Sequence, residues 1–121
     1  MLKYHEQCIG LSLPAIGRYK LEVWWCPSGF KIKPHVHDNV SIESVFVMGS
    51  GSYVCRKQEG ELFAEHHKLR AIKDFGRSFS IPAGCVHWFE VGKWPLLFIN
   101  FEKWKAGAKP SSASDDFKEK V

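Results

Sequence analysis

The chain carries six histidines, and two of them stand one residue apart in Pro34-His35-Val36-His37. In an extended segment, residues i and i+2 project from the same face, which sets the two imidazoles side by side with Cβ atoms about 6–7 Å apart. That spacing suits two nitrogen ligands on one transition-metal ion. Taken alone, the pair reads more readily as two unrelated surface histidines. Among the rest, His66 and His67 are adjacent, so a strand turns only one of them inward. Cys85 lies two residues before His87 and can share its face, either as a small half-buried thiol or as one that meets a substrate. Arg56, Arg70 and Arg77 are candidate clamps for a substrate carboxylate, which guanidinium binds bidentately; ordinary surface charge is the alternative for each.

The elements that must position these groups are short and extended. Apolar residues alternate along Tyr19–Trp25, and extended runs follow at 30–37, 40–48, 52–58, 61–67, 69–72, 77–81, 86–91 and 96–101. Gly49-Ser50-Gly51, Glu59-Gly60, Asp74-Phe75-Gly76 and Pro82-Ala83-Gly84 punctuate them as turns. Eight or nine short strands with a turn every 8–12 residues or so is the pattern of a sandwich or barrel. No segment before residue 102 sustains a 3.6-residue apolar period over three turns, which disfavours a helical fold. Past Phe101 the composition shifts to Ala, Gly, Lys, Pro and Ser. Residues 114–120 read either as one capped helical turn begun by Ser114 or as a frayed polar tail. The expectation is one β-barrel domain over residues 1–105, with its strands between 15 and 101, and a polar tail over 106–121 lying outside the barrel.

The punctuation and the histidines fall into a joint pattern. Gly29 is followed by five residues and then His35-x-His37; Gly76 is followed by five residues, Pro82-x-Gly84, two more residues and His87. Together these resemble the two signature motifs of the cupin superfamily. The resemblance covers Gly29 to Val91 and implies an all-β fold, a jelly-roll β-barrel, with a mononuclear metal site. It carries the family's metal ligands to His35, His37 and His87, and the metal to a divalent transition ion, Fe(II) first, with Mn, Ni or Zn as the others. The family's glutamate slot falls on Ile42, and Glu43 stands one place late. A one-residue shift on a strand sends a side chain to the opposite face, so Glu43 points out unless a bulge returns it to the ligand set. The register favours three histidines alone, with Glu43 as the alternative fourth ligand. Val91 stands where the family has an asparagine.

For function the resemblance implies a small metal-dependent cupin acting on a small molecule, with mononuclear dioxygenase-type chemistry first. The alternatives are a non-catalytic module that binds a small ligand or a metal, and a structural cupin with a decayed site. Cys85 and Arg56 are the candidate substrate-binding residues. The 121 residues carry a net charge of +4, and no Lys/Arg run makes nucleic acid a first partner. No apolar stretch reaches the roughly 20 residues of a membrane helix, and the first residues are too polar for a signal peptide, so no membrane partner and a cytoplasmic location are expected. The four cysteines form no CxxC pair, which reads as reduced thiols rather than a disulfide framework or a zinc ribbon. A homodimer that buries Trp24 or Trp25 is expected, because open sandwiches leave apolar faces that pairing covers.

Overall fold

Strand alternation sorts the side chains into an inner and an outer set, and two sheets assemble around the inner one. In the computed structural model, residues 1–56 and 65–119 are described, apart from the side chains of Arg56, Glu65, His66, His67 and Ile72. The strands are β1 (Leu2–His5), β2 (Cys8–Ser12), β3 (Tyr19–Cys26), β4 (His35–Val36), β5 (Val40–Met48), β6 (Gly51–Arg56), β7 (Glu65–Leu69), β8 (Ser78–Ile81), β9 (Val86–Val91), β10 (Leu96–Trp104) and β11 (Lys118–Glu119). A six-stranded sheet runs in the order β1-β2-β3-β10-β5-β8 and a five-stranded sheet in the order β11-β4-β9-β6-β7. Every pairing is antiparallel. The two sheets are open layers of a jelly roll. Among the described residues, no helix is long and apolar enough to cross a membrane.

The inner layer is apolar and aromatic. Trp24, Cys26, Val40, Ile42, Phe46, Tyr53, Ile81, Leu96 and Trp104 are buried in one cluster, against which Phe79, Phe89 and Phe98 pack. Trp24 faces in at 5% exposure and Trp25 faces out at 40%, as strand parity requires. Gly10 on β2 lies opposite Trp24 across the sheet. A Cβ at Gly10 would stand 2.6 Å from the Trp24 indole, so the absent side chain is what allows the ring to lie over the strand.

The structure corrects three expectations about the elements. The N-terminal twelve residues, expected to precede the strands, form the β1–β2 hairpin and lengthen the six-stranded sheet. Their gain comes from pairing with β3, a long-range partner that local periodicity does not show. Residues 30–37 read as one strand, yet only His35–Val36 is ladder-paired, preceded by an isolated bridge between Lys31 and Glu90. Residues 72–74 form a 3₁₀ turn, not the end of a strand.

A further correction concerns the tail expected to lie outside the barrel. Residues 112–119 fold back as a strap. Ser112 is fully buried and Ala113 is 4% exposed. The amides of Asp115 and Asp116 both donate to the Ser112 carbonyl, making a single turn that starts two residues before Ser114. β11 then pairs with β4. The Asp116 carboxylate accepts from the Asn39 amide at 2.7 Å and from its side chain at 3.1 Å.

The strap seals a pair of carboxyl groups. Glu22 and Glu102 project inward from β3 and β10 at 0% and 2% exposure. Glu22 Oε1 accepts from the Trp24 indole and the Ala113 amide, both at 3.4 Å, and Glu102 Oε1 accepts from the Trp104 indole at 3.1 Å. Burial, reinforced by Glu22, pushes Glu102 up to about 10. Burial also opposes charge on Glu22, but neighbouring donors, Glu102 first, outweigh it and hold Glu22 below the usual range. The pair therefore shares one proton at neutral pH, as two close buried carboxyls must.

Candidate metal centre

Two strands bring the three histidines together. His35 on β4 is the direct cross-strand partner of His87 on β9, and His37 follows two residues after His35. The Pro82–Gly84 turn precedes β9, with Gly84 at φ +82°, a conformation glycine adopts without strain. Its amide donates to the His37 carbonyl at 2.9 Å and so ties the two motif segments to each other. Ring centroids are 4.1 Å apart for His35 and His87, 4.9 Å for His35 and His37, and 5.0 Å for His37 and His87. One potential ligand nitrogen from each lies within 4.8 Å of the other two.

The hydrogen bonds fix which nitrogen that is. His35 Nδ1 meets the Lys33 carbonyl at 2.7 Å, His37 Nδ1 meets the Asp116 carbonyl at 2.5 Å, and His87 Nδ1 meets the Cys85 carbonyl at 3.0 Å. A carbonyl only accepts, so each Nδ1 carries the proton and each Nε2 keeps its lone pair. Burial lowers all three: His35 to about 2 and His87 to about 3, with the neighbouring imidazoles adding to the effect, and His37 in the same direction. The group is thus three neutral imidazoles in one tautomer, a donor set that fits a divalent transition metal and leaves further coordination positions open.

Glu43 is on the other face. It alternates with the inward Ile42 and Ser44, stands opposite Phe101 and Ser80, and accepts a 2.5 Å hydrogen bond from the Ser80 hydroxyl. The β5–β10 ladder does carry a register shift, but it lies at Leu97/Phe98, beyond Glu43, and returns nothing to the histidines. Cys85 is buried, its Sγ 3.0 Å from that of Cys55; it is absent from the cavity lining, and its carbonyl is what holds His87. Arg70 and Arg77 stand at the surface beside Asp74. The side chains of Arg56, His66 and His67 lie outside the described residues.

The histidines open into a cavity of about 90 Å³ between the sheets. At roughly 10–15 Å³ per water-sized atom, that holds about six to nine heavy atoms. Trp24, Ile42, Phe46, Phe79, Phe89 and Phe98 give it apolar walls, and among the described residues no Lys, Arg, Asp or Glu lines it. Ser44 and Asn100, also in the wall, satisfy each other at 2.8 Å. Among the described residues the Tyr53 hydroxyl has no hydrogen-bond partner, although the residue is 6% exposed and its ring stacks on Phe79 at 4.8 Å. Burial keeps Tyr53 protonated and available as a donor.

Sequence reasoning missed Tyr53 and the strap. Phe117 stacks on His35 at 4.3 Å with planes 24° apart, and meets His5 at 4.5 Å. A lone phenylalanine in an otherwise polar segment was the one signal that the tail had something to cover.

No protein-family model matches the chain, and no curated protein matches its sequence. Solved structures do match in shape. The capsular polysaccharide assembling protein CapF from Staphylococcus aureus has a TM-score of 0.76 at 14% identity, over 98% of this chain and 33% of that one. An uncharacterized conserved protein with a double-stranded β-helix domain from Klebsiella pneumoniae has a TM-score of 0.64 at 18% identity, over 98% and 90%. An oxalate oxidase in complex with the substrate analogue glycolate has a TM-score of 0.60 at 16% identity, over 75% and 44%. The chain thus spans about a third of the length of CapF, and the likeness is one of fold.

Proposed function

We propose that this chain, a cupin in fold, is a mononuclear metal protein in which His35, His37 and His87 hold one divalent ion, with Fe(II) first and oxygen chemistry on a small apolar molecule as its activity. The observation that carries the reading is the common tautomer: three backbone carbonyls take the three Nδ1 protons and leave three lone pairs for one ion. The ion would supply Lewis acidity, a template for a chelating substrate and a site for dioxygen.

The rest falls to the protein. The aromatic walls select an apolar body and exclude water. With no cationic side chain in the described lining, the counter-charge there would be that of the divalent ion itself, so the ligand carries no more negative charge than its metal-binding oxygens bring. Tyr53 donates to a ligand oxygen and orients it. A planar molecule with two adjacent oxygens and no more than about nine heavy atoms fits this description. Outside the cavity, Ile9, Leu11 and Trp25 are exposed on the outer face of the six-stranded sheet, and we propose that a homodimer covers them.

Metal analysis of protein purified without a polyhistidine tag tests the reading. Near one ion per chain is expected, falling sharply in each single His→Ala variant and unchanged in Glu43→Gln. Oxygen uptake with small O,O-chelating substrates, reduced in Tyr53→Phe, tests the activity. Failure to load iron, manganese, nickel or zinc overturns the metal reading.

A further inference from the structure

The four cysteines, distant in sequence, meet in two pairs. Cys8 Sγ and Cys26 Sγ are 2.6 Å apart, and Cys55 Sγ and Cys85 Sγ 3.0 Å apart. The two pairs differ in surroundings. Cys8 and Cys26 both line the cavity, whereas Cys55 and Cys85 do not. Cys8 precedes Ile9 on β2 and Cys26 follows Trp25 on β3; Ile9 and Trp25 are direct cross-strand partners, so the two cysteines face each other across the sheet. At 2% and 1% exposure they are closed to bulk solvent.

We propose that Cys8 and Cys26 are a redox-active dithiol in the cavity wall, which a small hydroperoxide converts to a disulfide. The sulfurs need to approach by only about half an ångström to reach bonding distance. One sulfur attacks the peroxide: an S–O bond forms, the O–O bond breaks, and the alcohol leaves with the proton. The second thiol then attacks the sulfenic sulfur. An S–S bond forms, the S–O bond breaks, and water leaves. Two thiols lose two electrons and two protons, and the hydroperoxide is reduced to alcohol and water. The contact with Cys8 and burial push the Cys26 thiol up, so Cys26 keeps its proton until it closes the bridge as the second thiol. Only a reagent small enough for the cavity reaches them, so the second pair serves as an internal control. None of these steps uses the histidines, so the outcome is independent of the metal.

Reduced native protein, with and without a strong chelator, is treated with tert-butyl hydroperoxide, denatured in excess alkylating reagent, and read by intact mass and peptide mapping. Alkylatable thiols fall from the four of the reduced chain to two, and the recovered cross-link joins the peptides holding Cys8 and Cys26, in both conditions. In Cys8→Ser, Cys26 forms no cross-link to any other residue. Four alkylated thiols after treatment, a bridge at Cys55–Cys85 alone, or oxygen atoms added to Cys8 or Cys26 without a bridge overturns the proposal. If Cys8→Ser does not fold, the map of the native chain decides.

Discussion

Replacing Glu102 with glutamine tests whether the buried carboxyl pair holds a proton that the unfolded chain has lost. In the folded protein Glu102 titrates near 10, against 4.5 for a solvated glutamate. Between those values the native state binds about one proton more than the unfolded state, so unfolding free energy falls by about 1.4 kcal/mol per pH unit. The contribution is complete below 4.5 and is lost as pH rises through about 10. Over two units, from pH 6.5 to 8.5, Glu102 alone removes about 3 kcal/mol, a large share of what a domain of this size possesses. Glutamine keeps the shape and gives Glu22 a donor, but does not titrate. Urea unfolding at several pH values in that window measures both slopes, and groups common to the two chains cancel in the difference. The variant's stability should fall less steeply with pH, by about 1.4 kcal/mol per unit. Parallel lines would show that Glu102 is ionised in the fold and refute the shared proton.

Deleting residues 111–121 removes the carbonyl that orients His37 and uncovers Glu22. Metal affinity should fall about 10–100-fold, the usual cost of losing a ligand's hydrogen-bond partner, and the melting temperature should drop with it; calorimetry with and without metal reads both, and an unchanged chain would return the strap to the status of a tail. Gly10→Ala forces a methyl against the Trp24 indole and should destabilise by about 1–3 kcal/mol in urea unfolding, the range for an overpacked core. Trp25→Glu places a charge in the middle of the proposed dimer face; light scattering should find the parent dimeric and the variant monomeric, and a monomeric parent at tens of micromolar removes the homodimer.

What could be read from sequence was what local geometry enforces. Parity along a strand was enough to place His35 and His37 on one face, to separate Trp24 from Trp25, and to argue that Glu43 points outward. Spacing around Gly76, Pro82 and Gly84 marked His87. The strap was illegible because its partners lie 79 residues away in the case of His37 and Asp116, and 91 in the case of Glu22 and Ala113. Polar residues near a chain end look like a tail unless one knows that Ser112 closes over a carboxyl group. The N-terminal hairpin was missed for the same reason, since Cys8–Ser12 gains its stability from β3. Cys85 was chosen for standing two residues before His87, and that spacing does not say that its thiol meets Cys55 rather than the cavity.

The manner in which the histidines are held governs how such a centre can change over generations. All three ring protons end on main-chain oxygens, which every residue type possesses. Point substitutions at Lys33, Cys85 or Asp116 therefore leave the acceptors in place, and the donor strength of the ligands is shielded from ordinary mutation. An insertion or deletion is different. One residue gained or lost between Lys105, whose amide is anchored on the Asn39 carbonyl, and Asp116 moves the acceptor of His37 by a whole peptide unit. Variation in this site should accordingly run through chain length in the strap rather than through the identity of its side chains.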